Sequence, residues 1–255
     1  MTITTYIKAV DPGEGVAQGQ RGRLGAATDQ AQIRFFGFGF FRAEVDGAEA
    51  PLPPITRTML ARLVLARGSL VDTDDLYREC WPSPAPTVKR EQRVAVHKRI
   101  AELRRWFARG RVTDHANALL TERSARTAYR LLLDADQVDL HMFADLVFRA
   151  AAVQDAVAVD LLIKALQMWT ERPLQGLPDR AFVWDHVTRL TQLRDRACLE
   201  LAAGCRALGR TRDALVVFDR MHASHPDDSG LREMIELLFP GGQPVTPTVR
   251  RSLAI

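Results

Sequence analysis

Six histidines and three cysteines are the residues of this 255-residue chain with the most obvious capacity for metal or nucleophilic chemistry, and their spacing argues against both. His97, His115, His141, His186, His222 and His225 are scattered, with no His-x-x-x-His pair and no Cys-x-x-Cys to hold a tetrahedral metal. His222 and His225 are close, but they precede Pro226 at the end of a helical pattern, where an imidazole more often caps carbonyls. Cys198 and Cys205 are seven apart, hence on one helix face, and read as core thiols. With Cys80 they make an odd count without Cys-x-x-Cys spacing, which argues against a disulfide framework. No serine sits in a Gly-x-Ser-x-Gly turn. Gly37 and Gly39 lie in a β-prone run with no helix start behind them, so they are not a nucleotide loop. The expectation is a protein that is not an enzyme, with no metal and no cofactor.

Charge is more informative. The chain carries a net charge of +4, yet residues 89–111 alone hold nine basic side chains against two acidic ones. The rest of the chain is therefore slightly acidic, and the basicity is local. Within this stretch Val96, Ile100, Leu103 and Phe107 repeat at i, i+4, i+7 and i+11, one stripe of an α-helix. The opposite arc then holds Thr87, Glu91, Val94, Lys98, Ala101, Glu102 and Arg105, flanked by Arg90, His97 and Arg104. A helix greasy on one side and basic on the other suits insertion into a DNA major groove, although an Arg-rich solvated surface helix has the same pattern.

The elements around this helix decide between the two. IRFFGFGFF from Ile33 is β-prone and aromatic, and Asp46-Gly47 marks a hairpin turn that needs positive φ. After Pro53-Pro54, TRTMLARLVLARG reads as a helix closed by Gly68. Asp72, followed by Asp75, offers an N-cap for a second helix over Thr73–Cys80 that stops at Trp81-Pro82. The basic helix runs from about Thr87 to Phe107. ALLTERSARTAYRLLL then supplies two short strands around Arg123 to Thr127, with Arg123 and Arg126 near the tip, where an arginine can enter a narrow minor groove. Strands, three helices and a terminal hairpin are the parts of a winged helix. From Ala150 onward the pattern is helical, and Leu193 to Asp227 holds two helices joined at Leu208-Gly209-Arg210, near the 34-residue tetratricopeptide period. Trp169 and Trp184 are expected to fill the core between these helices.

These segments together resemble the Streptomyces antibiotic regulatory protein family. ITRTMLARLVLARGSLVDTDDLYRECWP, HKRIAELRRWF, LLTERSARTAYRLLL and VDLHMF are similar to its OmpR-type winged helix. LLIKALQMWTERPLQGLPD, LRDRACLELAAGCRALGRTRDALVVFDRMHASHPDD and LREMIELL are similar to its bacterial transcriptional activation domain. The expected fold is mostly α with small β elements: a winged helix-turn-helix domain, then an all-α tetratricopeptide-like domain. The expected segments are a flexible tail over 1–32, the winged helix over 33–134, the helical domain over 135–239 and an irregular tail over 240–255. Two departures stand out. Ala128 precedes Tyr129 where the family's wing carries glycine, and the proline-rich 240–255 replaces the family's last helical repeat.

The resulting expectation places Arg90, Val94, His97 and Lys98 nearest the bases of double-stranded DNA. Arg93, Arg99, Arg104 and Arg105 hold phosphates, and Arg126 touches the minor groove. The resemblance implies tandem direct repeats, protomers side by side on DNA, contact with RNA polymerase including its sigma factor, and activation of antibiotic biosynthesis genes. It places the protein in the cytoplasm, on the nucleoid, since no apolar run approaches the length of a membrane span. A repressor, or a helical-repeat adaptor whose winged domain does not bind DNA, remains an open alternative. The basic arc favours the DNA reading, because an adaptor has no use for it.

Overall fold

The computed structural model describes residues 33–81, 88–108, 118–124 and 126–238. The expected tails 1–32 and 240–255, and with the latter the question of the last repeat, lie outside the described residues. Alternating burial builds the first sheet: Ile33 and Phe35 of β1 (Ile33–Phe36) point inward while Arg34 is exposed. β1 pairs antiparallel with β2 (Arg42–Val45) in the register Ile33↔Val45, and β2 turns into β3 (Ala48–Glu49). The turn is Asp46-Gly47 with φ of 53° and 78°, the two positive values that this sharp hairpin requires.

The aromatic run is not one strand, contrary to its pattern. β1 ends at Phe36, and Gly37 to Phe41 turns away to pair with residues 172–175. Phe38 bridges Pro173 and Phe40 bridges Gln175, with bonds from the Leu174 N–H to the Gly37 carbonyl (2.7 Å) and from the Gln175 N–H to the Gly39 carbonyl (2.8 Å). The Gly37 and Phe38 amides donate to the Asp139 carboxylate at 2.7 and 3.1 Å. Burial pushes the Asp139 carboxyl up, against these amide bonds, which favour its charge. The glycine is required by contact: a Cβ on Gly37 would lie 2.4 Å from Leu140 Cδ1.

Three helices and a second sheet follow. α1 (Pro54–Leu65) starts with proline in its first turn and buries Met59, Leu60, Leu63 and Val64. Arg67 and Gly68, both at positive φ, end it. β4 (Val71–Asp72) leads into α2 (Thr73–Cys80), whose free amides at Asp74 and Asp75 are satisfied by the Asp72 side chain at 2.6 and 3.2 Å. α3 (Lys89–Phe107) is the basic helix, and β5 (Leu119–Arg123) and β6 (Thr127–Leu131) form the hairpin. β4 pairs with β6 to give the sheet order β4-β6-β5. This pairing across more than fifty residues has no local sequence signal.

After a 3₁₀ turn at Ala135–Gln137 come α4 (Asp139–Ala151), α5 (Asp155–Gln167), α6 (Ala181–Ala207), α7 (Thr211–Ser224) and α8 (Ser229–Leu238). Consecutive helices pack on one another, as in tetratricopeptide arrays. Cys198 and Cys205 lie on the buried face of α6 with Leu201 and Ala202, and Gly209 at φ 68° closes that helix. Burial pushes the Cys198 thiol up to about 12, which leaves it unreactive. Trp169 is buried as expected, with its ring 5.1 Å from Phe38 and 5.4 Å from Phe143. Trp184 is not. Phe182 and Val183 take the inward positions of the first turn of α6, so Trp184 is 50% exposed, with its N–H bonded to Asp179 and Arg172 over its ring.

One buried apolar cluster runs from Ile33 to Leu231, so the winged part and the helical part share a core. A second seam lies at the end of α1, where His186 contacts the Leu65 carbonyl at 3.3 Å and Arg67 pairs with Asp145 at 2.7 Å. The tightness of the first seam is testable by overpacking. Gly37→Ala forces a methyl group into the fully enclosed Leu140 and should cost about 2 kcal/mol in urea unfolding, within the usual 1–3 kcal/mol range for overpacked cores. A variant as stable as wild type would show that the two parts do not press together at Gly37.

Candidate nucleic-acid interface

The site begins with the anchoring of α3. Val96, Ile100, Leu103 and Phe107 are each 2% exposed or less, and Trp106, which the stripe pattern passed over, is buried beside Phe107. These side chains face the shared core of α1 and α2, so the other side of α3 must face outward. There Arg90, Arg93, Val94, His97, Lys98, Arg104 and Arg105 are exposed, Val94 to 61%. Lys98 and Arg105 are therefore not covered by any part of the described chain. Thr87, Arg109 and Arg111 lie outside the described residues.

Freedom divides the basic residues into two groups. Among the described residues no ion pair holds Arg90, Arg93, Lys98 or Arg105; the Arg105 side chain makes only a bond to the Ala101 carbonyl, 3.3 Å away. Arg99 is different. It is partly buried and donates to both carboxylate oxygens of Glu102 at 2.8 and 2.7 Å, and Glu102 also accepts from the Thr56 hydroxyl at 2.9 Å. Glu102 thus turns toward α1 instead of lying on the outward arc, as its position in the helical pattern suggests. A hydroxyl on α1 and an arginine one turn back on α3 capture it. Arg104 is likewise engaged, donating to the Leu119 carbonyl (3.2 Å) and the Thr121 hydroxyl (2.6 Å) at the root of β5.

The hairpin stands against this face. Tyr129 of β6 is buried and meets the His97 ring edge-on, with centroids 6.3 Å apart. Burial holds the Tyr129 phenol above its ordinary range, against the opposing charges of Arg104 and Arg123, so it stays neutral. Arg123 and Arg126 flank the tip, both exposed, and Arg126 pairs with Asp72 at 3.3 Å. Ala128 sits inside β6, opposite both Asp72 and Glu122. The link between Asp72 and Arg126 escapes sequence reasoning, which recognises Asp72 only as a helix cap.

Among the described residues no three of His, Cys, Asp and Glu come together in a group suited to a metal ion. Arg194, 4% exposed beside a cleft of about 750 Å³ in the helical part, is held by Asp195 and Asp228 at 2.7 and 2.6 Å. The His225 ring is bonded to the Met221 carbonyl at the end of α7. No described helix is long and apolar enough to cross a membrane.

Comparison with known proteins agrees with this layout. Residues 138–237 match the family model of the bacterial transcriptional activator domain. Among solved structures the chain is similar to Mycobacterium tuberculosis EmbR in complex with a low-affinity phosphopeptide, at 25% identity and a TM-score of 0.66. That alignment covers 82% of this chain and 54% of that one, so the chain spans about half the length of its structural relative. A search of the curated proteins gives no match.

The Glu102 brace generates a pH-dependent expectation. The bond from Arg99 holds its carboxyl below the ordinary 4.5, burial opposes this, and the Thr56 hydroxyl adds to the depression. A depressed folded-state value means that the stabilisation is complete above the ordinary value and is lost as pH falls through the folded one. Glu102→Gln should therefore be less stable than wild type at pH 7, by about 1 kcal/mol after discounting for solvent screening. The gap should close in acid. Equal stability at pH 7, or a gap that widens on acidification, would show that the brace carries no load.

Proposed function

We propose that the chain is a member of the Streptomyces antibiotic regulatory protein family, with a winged helix in front of a bacterial transcriptional activator domain, and that it is a sequence-specific DNA-binding transcriptional activator. The observation that carries this reading is the outward face of α3, where Arg90, Arg93, Lys98 and Arg105 stand exposed around an exposed Val94, with no ion pair to any of them among the described residues. A solvated surface helix would ordinarily balance such charges within itself. Of the two acidic residues on α3, Glu102 is turned inward to Thr56 and Arg99, which leaves only Glu91 against the exposed cations.

In this reading α3 enters the major groove of promoter DNA. Arg90, Val94, His97 and Lys98 lie nearest the bases, with Val94 suited to a thymine methyl and the cations to guanine edges. Arg93 and Arg105 hold phosphates, which supplies affinity and a salt dependence of about −0.9 in log–log slope per phosphate neutralised. Arg99 and Arg104 also belong to the phosphate-facing set, but each must share its guanidinium with Glu102 or with β5. Arg126 reaches the minor groove from the wing.

The match to the bacterial transcriptional activator domain over residues 138–237 and the family resemblance support a wider picture. The target is a promoter with tandem direct repeats, occupied by protomers side by side, and the regulated genes direct antibiotic or other secondary-metabolite synthesis. The helical part, taken as 135–239 behind a winged helix over 33–134 and packed against it, offers surfaces to the neighbouring protomer and to RNA polymerase with its sigma factor. The protein works on the nucleoid in the cytoplasm, without a cofactor.

The test is a binding titration on a matched and a scrambled duplex. Lys98→Ala should weaken binding to the matched duplex more than to the scrambled one, by about 1–3 kcal/mol for a good base contact. Arg105→Ala should weaken both alike and flatten the salt dependence by about one phosphate. The reverse ordering would overturn the division between base-reading and phosphate-holding residues. A wild-type protein that ignores duplex DNA at low salt would overturn the function itself.

A further inference from the structure

Among the described residues, Arg126 is the one member of the proposed DNA surface that is ion-paired to a residue outside α3. Its Nη1 lies 3.3 Å from Asp72 Oδ2, with the arginine side chain 72% exposed and the aspartate 23%. The two oxygens of Asp72 divide the work. Oδ1 accepts from the amides of Asp74 and Asp75 at the start of α2, and Oδ2 is left to the arginine. Burial tends to raise the Asp72 carboxyl, but the amides of Asp75 and Asp74 and the guanidinium outweigh it, so the group is charged at neutral pH.

The backbone around Arg126 is pinned. β4 and β6 pair in the register Val71↔Tyr129 and Asp72↔Ala128, the Thr73 hydroxyl bonds the Thr127 carbonyl at 2.7 Å, and Arg123 pairs with Thr127 across the hairpin. Ser124 N–H closes the tip onto the Arg126 carbonyl at 3.3 Å. The remaining freedom is in the arginine side chain, which can swing between Asp72 and whatever lies beyond the tip.

We infer that Asp72 is a latch on the wing: it holds Arg126 against the start of α2 in the free protein, and only a minor groove that binds the guanidinium more strongly than Asp72 does draws it away. This rests on the DNA-binding reading and adds a restraint to it. Narrow A·T-rich grooves have the more negative potential and attract arginine most. Breaking the pair costs the same on every duplex, so the latch subtracts from wing binding where the groove is strong and leaves Arg126 on Asp72 where the groove is weak. Recognition is thereby weighted toward α3. When Arg126 leaves, Asp72 is still compensated by the two amides and the positive end of α2, so the latch can open without stranding a charge.

The experiment compares two duplexes that share one α3 site and differ only in an A·T or a G·C tract under the wing. Asp72→Asn keeps an equally good helix cap while removing the charge, and Asp72→Ser is a second variant with a capping side chain; melting temperatures close to wild type confirm that both fold. Both should bind the A·T-flanked duplex about two- to five-fold more tightly than wild type, the range expected for releasing an exposed ion pair, with a smaller gain on the G·C-flanked one. In an Arg126→Ala background the substitutions should change neither affinity. Weaker or unchanged binding to the A·T-flanked duplex overturns the latch, as does a gain that survives Arg126→Ala, which would mean that Asp72 merely repels DNA. If wild type binds neither duplex, the DNA-binding reading has failed and the latch falls with it.

Discussion

Burial of a single stripe on α3 is the constraint from which the rest of this structure follows. Val96, Ile100, Leu103 and Phe107 are enclosed, and each such side chain contributes about 1.5–3 kcal/mol when removed from water. The helix cannot rotate about its axis without giving that up. Its other face, carrying Arg90, Arg93, Val94, His97, Lys98 and Arg105, is held outward as the geometric complement of a hydrophobic contact. Glu102 and Arg104 refine the orientation, one tying α3 to Thr56 of α1 and the other to β5.

The second organising feature is the seam between the winged and the helical parts. The Gly37–Phe41 segment pairs with residues 172–175, and its first two amides, of Gly37 and Phe38, donate to Asp139 at the start of α4. Phe38 then inserts between Phe143 and Trp169. The polypeptide that leads into the winged helix is thus also part of the wall of the helical domain. A partner bound to α6 or α7 would consequently be held in a defined relation to α3, which suits the proposed role of setting a protein surface next to bound DNA.

Local signals were legible in the sequence wherever one short segment determined the outcome. The Asp46-Gly47 turn, the Asp72 cap, the stripe on α3, the strands around Arg123 and the Gly209 break between α6 and α7 all depend on residues within a few positions of one another. What escaped depends on distant partners. The aromatic run from Ile33 looks like a continuous strand until residues 172–175 supply a competing set of carbonyls and amides. Glu102 belongs to the outward arc by angle and leaves it because Thr56, forty-six residues earlier, offers a hydroxyl. Trp184 has a core residue's composition, but Phe182 and Val183 had already filled the inward positions. The engagement of Arg104 and Arg126 is invisible for the same reason, whereas Arg99 pairs locally with Glu102 three residues on, and these contacts separate the free cations of the candidate site from those already in use.

The lysines allow a direct test of the central claim, because they are few and well placed: Lys89 and Lys98 lie on α3, whereas Lys164 lies on α5 of the helical part. Lysine acetylation of the full chain, read by mass spectrometry with and without promoter duplex, reports which face the DNA covers. The account predicts that duplex protects Lys98 and Lys89 and leaves Lys164 as reactive as before. Protection of Lys164 with Lys98 still reactive would contradict it, since the positive face of α3 would then be pointing away from the DNA.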